Sequence, residues 1–271
     1  MKLNKLTTAI FGTLASLCMA GSVHAANVLV TQYDYETSKY DQMAATLTAA
    51  GNTVDVVDAK VAGNLASALG SKSYDQVYLW DLTGSSYLGG SDLTALSSFW
   101  SGHKGLVVDS RSYGYYYQGD NASEMALLQN VSNNFKLTGG GVWVGTDHNP
   151  DWTNNGNAFL SEIGVNTVTG NYSDAVNYAD PSSVLLAGVT PTALWGGGQS
   201  IGKAPLGLQP NGITMYLHYG HIATSGAVLP YISASFPLAG PVPEPETYAM
   251  LLAGLGVMGA VARRRKANKQ A

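Results

Sequence analysis

Five short apolar runs alternate with four stretches of helical spacing between residues 27 and 147, and this alternation constrains the fold more than any other feature of the chain. The runs are Asn27-Val28-Leu29-Val30, Thr53 to Val57, Gln76 to Trp80, Leu106 to Val108 and Gly141 to Val144. Between them, Tyr40 to Ala50 places Tyr40, Met43, Ala44 and Leu47 on one face and stops at Gly51, Ala62 to Leu69 is a weaker helix, Asp92 to Trp100 aligns Leu93, Leu96 and Trp100, and Glu124 to Phe135 aligns Met125, Leu128, Val131 and Phe135. Strands that alternate with helices must be joined by right-handed crossovers, so the expected fold is α/β, a mostly parallel sheet with helices on both faces.

After a further helix at Asn157 to Ile163 the pattern changes. Ile213 to His218 and Val228 to Ser235 read as strands separated by Gly- and Pro-rich turns, a C-terminal β-rich extension that either continues the sheet or forms a small cap.

In an open α/β sheet, ligands bind at the carboxyl ends of the strands. An aspartate follows each of the five runs: Asp34, Asp58, Asp81, Asp109 and Asp147, with Arg111 and His148 beside the last two. A carboxylate, guanidinium and imidazole in one crevice can orient a polar ligand, hold a cation or activate water. Aspartate after a strand also caps a helix or makes a turn with no ligand at all. Asp109, Asp147 and His148 are the candidate acid-base groups, and Asp34, Asp81 and Arg111 candidate ligand contacts. Tyr115, Tyr116 and Tyr117, in a tyrosine-rich loop beside the fourth strand, offer aromatic faces with polar tips to a sugar or a protein, or else pack over the sheet end as a lid.

Three further patterns carry less. Gly198-Gln199-Ser200-Ile201-Gly202 has the letters of a nucleophile elbow, and Gly197 to Lys203 nearly those of a phosphate loop, but Trp195-Gly196-Gly197 precedes and Pro205 follows where a buried strand and a helix are required. His218 and His221 stand three apart on a predicted strand, which turns them to opposite faces and argues against a metal pair. No metal or cofactor is expected.

The chain between its ends, residues 26 to 242, holds 7 basic and 16 acidic residues, a formal charge of −9. Such a surface repels nucleic acid, and no basic-aromatic stripe offsets it. The one cysteine, Cys18, lies in the first 25 residues, so the remainder has neither a disulfide nor a thiol nucleophile.

Met1 to Ala25 has the form of a secretory signal peptide: Lys2 and Lys5, an apolar stretch from Leu6 to Ala20, and small residues at Val23-His24-Ala25. Leu17 before Cys18 disfavours a lipoprotein signal. At the other end Thr247 to Ala262 is almost continuously apolar and stops at Arg263-Arg264-Arg265-Lys266, the form of a transmembrane helix with a cytoplasmic basic stop. The reading divides the chain into a signal peptide at 1–25, an exported α/β domain at 26–235, a linker at 236–246 and a transmembrane sorting tail at 247–271.

The order Pro243-Glu244-Pro245, apolar segment, Arg263-Arg264-Arg265 resembles the PEP-CTERM sorting signal of Gram-negative bacteria that make extracellular polysaccharide. The resemblance implies Sec export, transient residence in the inner membrane, removal of the tail by an exosortase, and delivery to the cell surface or matrix. The alternative is a plain anchor that is never cut. The stretches Trp100 to Asp109 and Gly140 to His148 are similar to those of the class I glutamine-amidotransferase-like superfamily, which implies a flavodoxin-like sheet. Its nucleophilic cysteine is absent here, since the comparable turn reads Gly145-Thr146-Asp147-His148, and with it the thiol chemistry.

The expected function is a non-catalytic binding or structural role at the cell surface or in the extracellular matrix, with exopolysaccharide as a partner. The alternative is a hydrolase of matrix polysaccharide that uses Asp109, Asp147 and His148.

Overall fold

The computed structural model describes residues 25–32, 37–80, 82, 88–111, 122–172, 175–178, 183–190, 194 and 201–237. Five strands run parallel: β1 (Asn27–Gln32), β2 (Thr53–Asp58), β3 (Gln76–Leu79), β4 (Gly105–Asp109) and β5 (Gly141–Gly145). Their spatial order is β2-β1-β3-β4-β5, that of a doubly wound flavodoxin-like sheet, with its switch point between β1 and β3. Four helices fill the crossovers: α1 (Thr37–Ala49), α2 (Asn64–Ser71), α3 (Gly90–Ser101) and α4 (Ala122–Thr138), followed by α5 (Asn154–Glu162). Four of the five helices start two or three residues earlier than the apolar spacing alone indicates, because polar first turns carry no periodic signal, whereas α2 starts at Asn64, two residues later than the expected Ala62.

Period-two alternation sorts the strands into two cores. Val28, Val30, Tyr78, Trp80, Val107 and Trp143 face one side, covered by Met43 and Leu47 of α1 and by Leu127, Leu128, Val131 and Phe135 of α4. Leu29, Val77, Leu79, Leu106, Val108, Val142 and Val144 face the other, under Leu65 of α2, Leu96 and Trp100 of α3, and Phe159 and Leu160 of α5. Helices therefore cover both faces, as the alternation requires.

The C-terminal extension continues the sheet. β11 (Val228–Ala234) lies antiparallel to β5, β10 (Thr214–Ala223) antiparallel to β11, and β7 (Ala175–Tyr178) antiparallel to β10, while β9 (Gly207–Leu208) pairs with the start of β10. A separate two-stranded sheet joins β6 (Thr169–Tyr172) to β8 (Ile201–Lys203). The added strands are held by buried polar contacts: His218 meets Ser183 and has its Nε2 3.0 Å from the Phe236 carbonyl oxygen. Phe236, assigned to the linker on sequence, is 2% exposed and packs on Phe135, so the domain runs at least that far.

One turn depends on glycine. α4 returns to β5 through Gly139-Gly140-Gly141, all at positive φ, and a Cβ on Gly140 would lie 1.9 Å from the carbonyl oxygen of His103. Among the described residues no helix is long and apolar enough to cross a membrane. The apolar segment 247–262 and the rest of the expected tail lie outside them.

Candidate functional site

The carboxyl ends of β4 and β5 carry a buried charged cluster. Asp109 ends β4 and Arg111 follows two residues later, its backbone N–H and Nε both donating to Asp109 Oδ1 at 3.0 Å and its Nη2 to Oδ2 at 2.9 Å. The other side of the guanidinium meets Glu124, in the first turn of α4: Nη1 donates to Oε1 at 2.9 Å and Nη2 to Oε2 at 3.1 Å. These bonds use four of the five guanidinium N–H groups. The plane rests over Trp143, with Cζ 5.1 Å from the ring centroid, and near Tyr231 at 5.9 Å.

Asp109, Arg111 and Glu124 are all buried. Burial pushes the Asp109 carboxyl up, against the pull of Arg111, and pushes Glu124 up to about 7. Burial disfavours the Arg111 charge, but the two carboxylates outweigh it and hold its pKa well above the usual value. Gly145 is part of this arrangement, since a Cβ there would lie 2.6 Å from Asp109 Oδ1 and 2.7 Å from the Trp143 ring.

Asp147 and His148, just past β5, form a second unit. Asp147 Oδ1 accepts the His148 backbone N–H at 2.8 Å and lies 2.6 Å from His148 Nδ1. That hydrogen bond raises the imidazole pKa, with burial opposing it. The Asp147 side chain is 5% exposed and that of His148 23%, so the dyad presents its imidazole to solvent while the carboxylate stays inside. The ring packs against Trp152 with centroids 4.3 Å apart and planes tilted by 40°, and His148 bridges to Ile201 of β8, whose other neighbour is Tyr172 of β6. Asp109 pairs in register with Gly145, two residues before Asp147, so the two units stand at neighbouring strand ends.

Asp109 with Arg111 and Asp147 with His148 thus lie just past the carboxyl ends of the neighbouring strands β4 and β5, as two separate hydrogen-bonded units. Asp58 instead accepts the Lys60 backbone N–H at 2.9 Å, the turn role open to any strand-end aspartate. Asp34, Asp81, Tyr115, Tyr116 and Tyr117 lie outside the described residues, as do Pro243, Glu244, Pro245, Arg263, Arg264 and Arg265. His218 and His221 are buried, and burial lowers both to about 4. Among the described residues no group of three His, Cys, Asp or Glu side chains is placed to hold a metal ion.

Sequence reasoning missed Glu124 and Trp152. Glu124 reads as an ordinary acid in a helical first turn, and only its place thirteen residues after Arg111, across the β4–α4 crossover, hints at the pairing. Trp152 follows His148 by four residues, the one available signal that the rings could meet.

Residues 241–266 match the PEP-CTERM protein-sorting motif. The chain therefore carries the signal of an exported protein processed by an exosortase system. No curated protein and no solved structure matches it.

Proposed function

We propose that this is an exported cell-surface or extracellular-matrix protein whose α/β domain has a non-catalytic binding or structural role associated with exopolysaccharide, delivered by Sec export, transient insertion of the segment 247–262 in the inner membrane, and exosortase cleavage. The sorting motif at 241–266 supports the route. The observation that carries the non-catalytic part is the Arg111 clamp. Asp109, one of two candidate carboxylates, is buried and has both oxygens engaged by a guanidinium, which keeps it out of reach of a substrate. The partly exposed surface nearby is the His148 ring against Trp152, an aromatic pair with polar tips of the kind that receives a sugar ring.

A second reading rests on the same dyad. An imidazole held at Nδ1 by a buried carboxylate is arranged for general base work, which suits a polysaccharide hydrolase. Incubating protein isolated from its native host with the exopolysaccharide of that host separates the two. Co-sedimentation with no fall in polymer size, lost in His148→Ala, is the expected result; a fall in polymer size that requires His148 would establish the hydrolase instead. Self-association with neither effect would leave a purely structural coat role.

A further inference from the structure

Both ends of the domain leave from one edge of the sheet. β1 enters at the amino edge of the parallel strands, and β11, antiparallel to β5, finishes there: Ala234 pairs with Trp143, and the Ser235 N–H donates to the Val142 carbonyl at 2.8 Å. Pro243 stands six residues after Pro237, a tether of at most roughly 20 Å at 3.3–3.6 Å per residue.

This edge also carries apolar side chains that the fold leaves in water. Leu206, Leu208 and Tyr216 are 41, 74 and 37% exposed. Leu208 pairs with Thr214 and Gly207 with Met215, so the continuing register sets Leu206 opposite Tyr216. Met215 is buried in the core on the α2, α3 and α5 side. Alternation then turns Thr214, Tyr216 and both leucines to the opposite face, the side of α1 and α4. Tyr216 is the register partner of Ala234, next to the departing chain. Leu137, 73% exposed, lies in the last turn of α4 on that side and at that edge. The other large exposed apolar residues are scattered: Val56 on the edge strand β2, and Val61 and Val228 toward the carboxyl edge.

Charge at this edge is mixed. Lys104 Nζ donates to the Tyr74 carbonyl at 2.5 Å and Lys136 Nζ to the Ala50 carbonyl at 2.8 Å, and among the described residues neither meets a carboxylate. Asp55 is paired with Lys72 at 2.7 Å, while Asp75 and Glu162 add negative charge. Apolar insertion, not net charge, is therefore the available attraction. Leucines with a tyrosine beside them are the residues that enter the boundary between lipid headgroups and acyl chains.

We propose that Leu206, Leu208, Tyr216 and Leu137 form a membrane-docking face that rests on the bilayer holding the C-terminal tail before that tail is removed. The proposal rests on the reading of 247–262 as a membrane segment. It orients the precursor with the amino edge on the lipid and the Asp147–His148 edge pointing away from it.

The test uses the chain from Ala26 to Ala271, which is free of cysteine because Cys18 falls within the signal peptide. Leu208→Cys and, at the opposite edge, Val228→Cys are labelled with an environment-sensitive fluorophore and reconstituted into vesicles of phosphatidylcholine and phosphatidylglycerol. The expected result is a blue-shifted probe at 208, quenched by nitroxide-labelled lipid at least threefold more than the probe at 228. Equal, water-like spectra in protein that floats with the vesicles overturn the docking face and leave the tail reading intact. Failure to float overturns the tail reading, and this proposal with it. A desolvated probe at 208 that becomes water-like when each nanodisc holds a single chain assigns the patch to a second copy and also overturns the proposal.

Discussion

Arg111 turns back on the residue two before it: its Nε and Nη2 sit 3.0 and 2.9 Å from the two oxygens of Asp109, both side chains buried. The guanidinium thereby joins the end of β4 to the first turn of α4 through Glu124. Replacing it with an apolar chain strands two carboxylates in a region that water does not reach. Removing one partner of a buried ion pair costs about 3–5 kcal/mol, and Arg111→Met is expected to lower stability by that amount in urea unfolding. The triple replacement Asp109→Asn, Arg111→Met, Glu124→Gln, which removes the charges together, should recover part of the loss. A single variant as stable as the parent would mean that the cluster is solvated.

Four of the five parallel strands were legible because they are short apolar runs buried on both faces. β2, the edge strand, has no buried residue and was legible from its run of valines alone, and the aspartates that follow the strands could be counted along the chain. The placing of Asp109 and Asp147 at neighbouring strand ends followed from the pairing of β4 with β5. Glu124 was not legible as a partner of Arg111, since a first-turn glutamate is ordinary helix chemistry and the pairing depends on how the crossover returns. β6 to β9 were missed for another reason. Thr169-Gly170-Asn171-Tyr172 and Gly207-Leu208 have no period-two apolar pattern, and they become strands through the neighbours they meet. The choice between cap and sheet extension likewise turned on β11 finding the free edge of β5, a tertiary event that composition does not encode.

Acid stability should show opposed contributions between pH 6.5 and 4.5. Burial lowers His218 and His221 to about 4 in the folded state, so the stability tied to their neutral forms is full above the unfolded value near 6.5 and is lost as pH falls toward 4. Glu124 runs the other way. With its folded value at about 7, the stability tied to its proton is full below its ordinary value near 4.5 and is lost as pH rises through 7. Each group fully shifted contributes a slope of about 1.4 kcal/mol per pH unit inside its window. Glu124→Gln removes the opposing contribution, so its urea midpoint should fall more steeply between pH 6.5 and 4.5 than that of the parent. Parallel slopes would show that Glu124 stays ionised throughout.

Asp92 braces the starts of two helices. Its Oδ2 accepts the backbone N–H groups of Gly63 and Gly89 at 2.8 and 2.9 Å, and its Oδ1 that of Ala66 at 2.9 Å, which ties the first turn of α2 to that of α3. Asp92 is 1% exposed, so water cannot replace it in full. Leaving a donor unpaired costs about 1–3 kcal/mol where it is fully buried; the three N–H groups here are part-buried, and Asp92→Ala is expected to destabilise the domain by about 2–3 kcal/mol in all. Asp92→Asn keeps one acceptor oxygen, enough for the Gly63 and Gly89 N–H groups or for that of Ala66 but not for both sides, and should lose less. Equal losses for both would assign the effect to packing.

The tail is expected to be cut because of what surrounds the motif. Phe236 is the last buried side chain described, and Pro241, Pro243 and Pro245 recur at every second position after it. Proline has no N–H to give and disfavours the helical conformation for the residue before it, so the sequence at 241–245 argues against a helix continuous with the one expected from Thr247. A peptide in extended conformation is the form in which its bonds fit a protease cleft. Protein recovered from the surface of its native host should therefore begin at Ala26 and lack Thr247 to Ala271 by intact mass. Replacing Pro243, Glu244 and Pro245 together with alanine should leave the tail in place and the protein in the membrane fraction. Detection of intact Thr247 to Ala271 on surface material carrying the unaltered motif would overturn the processing route.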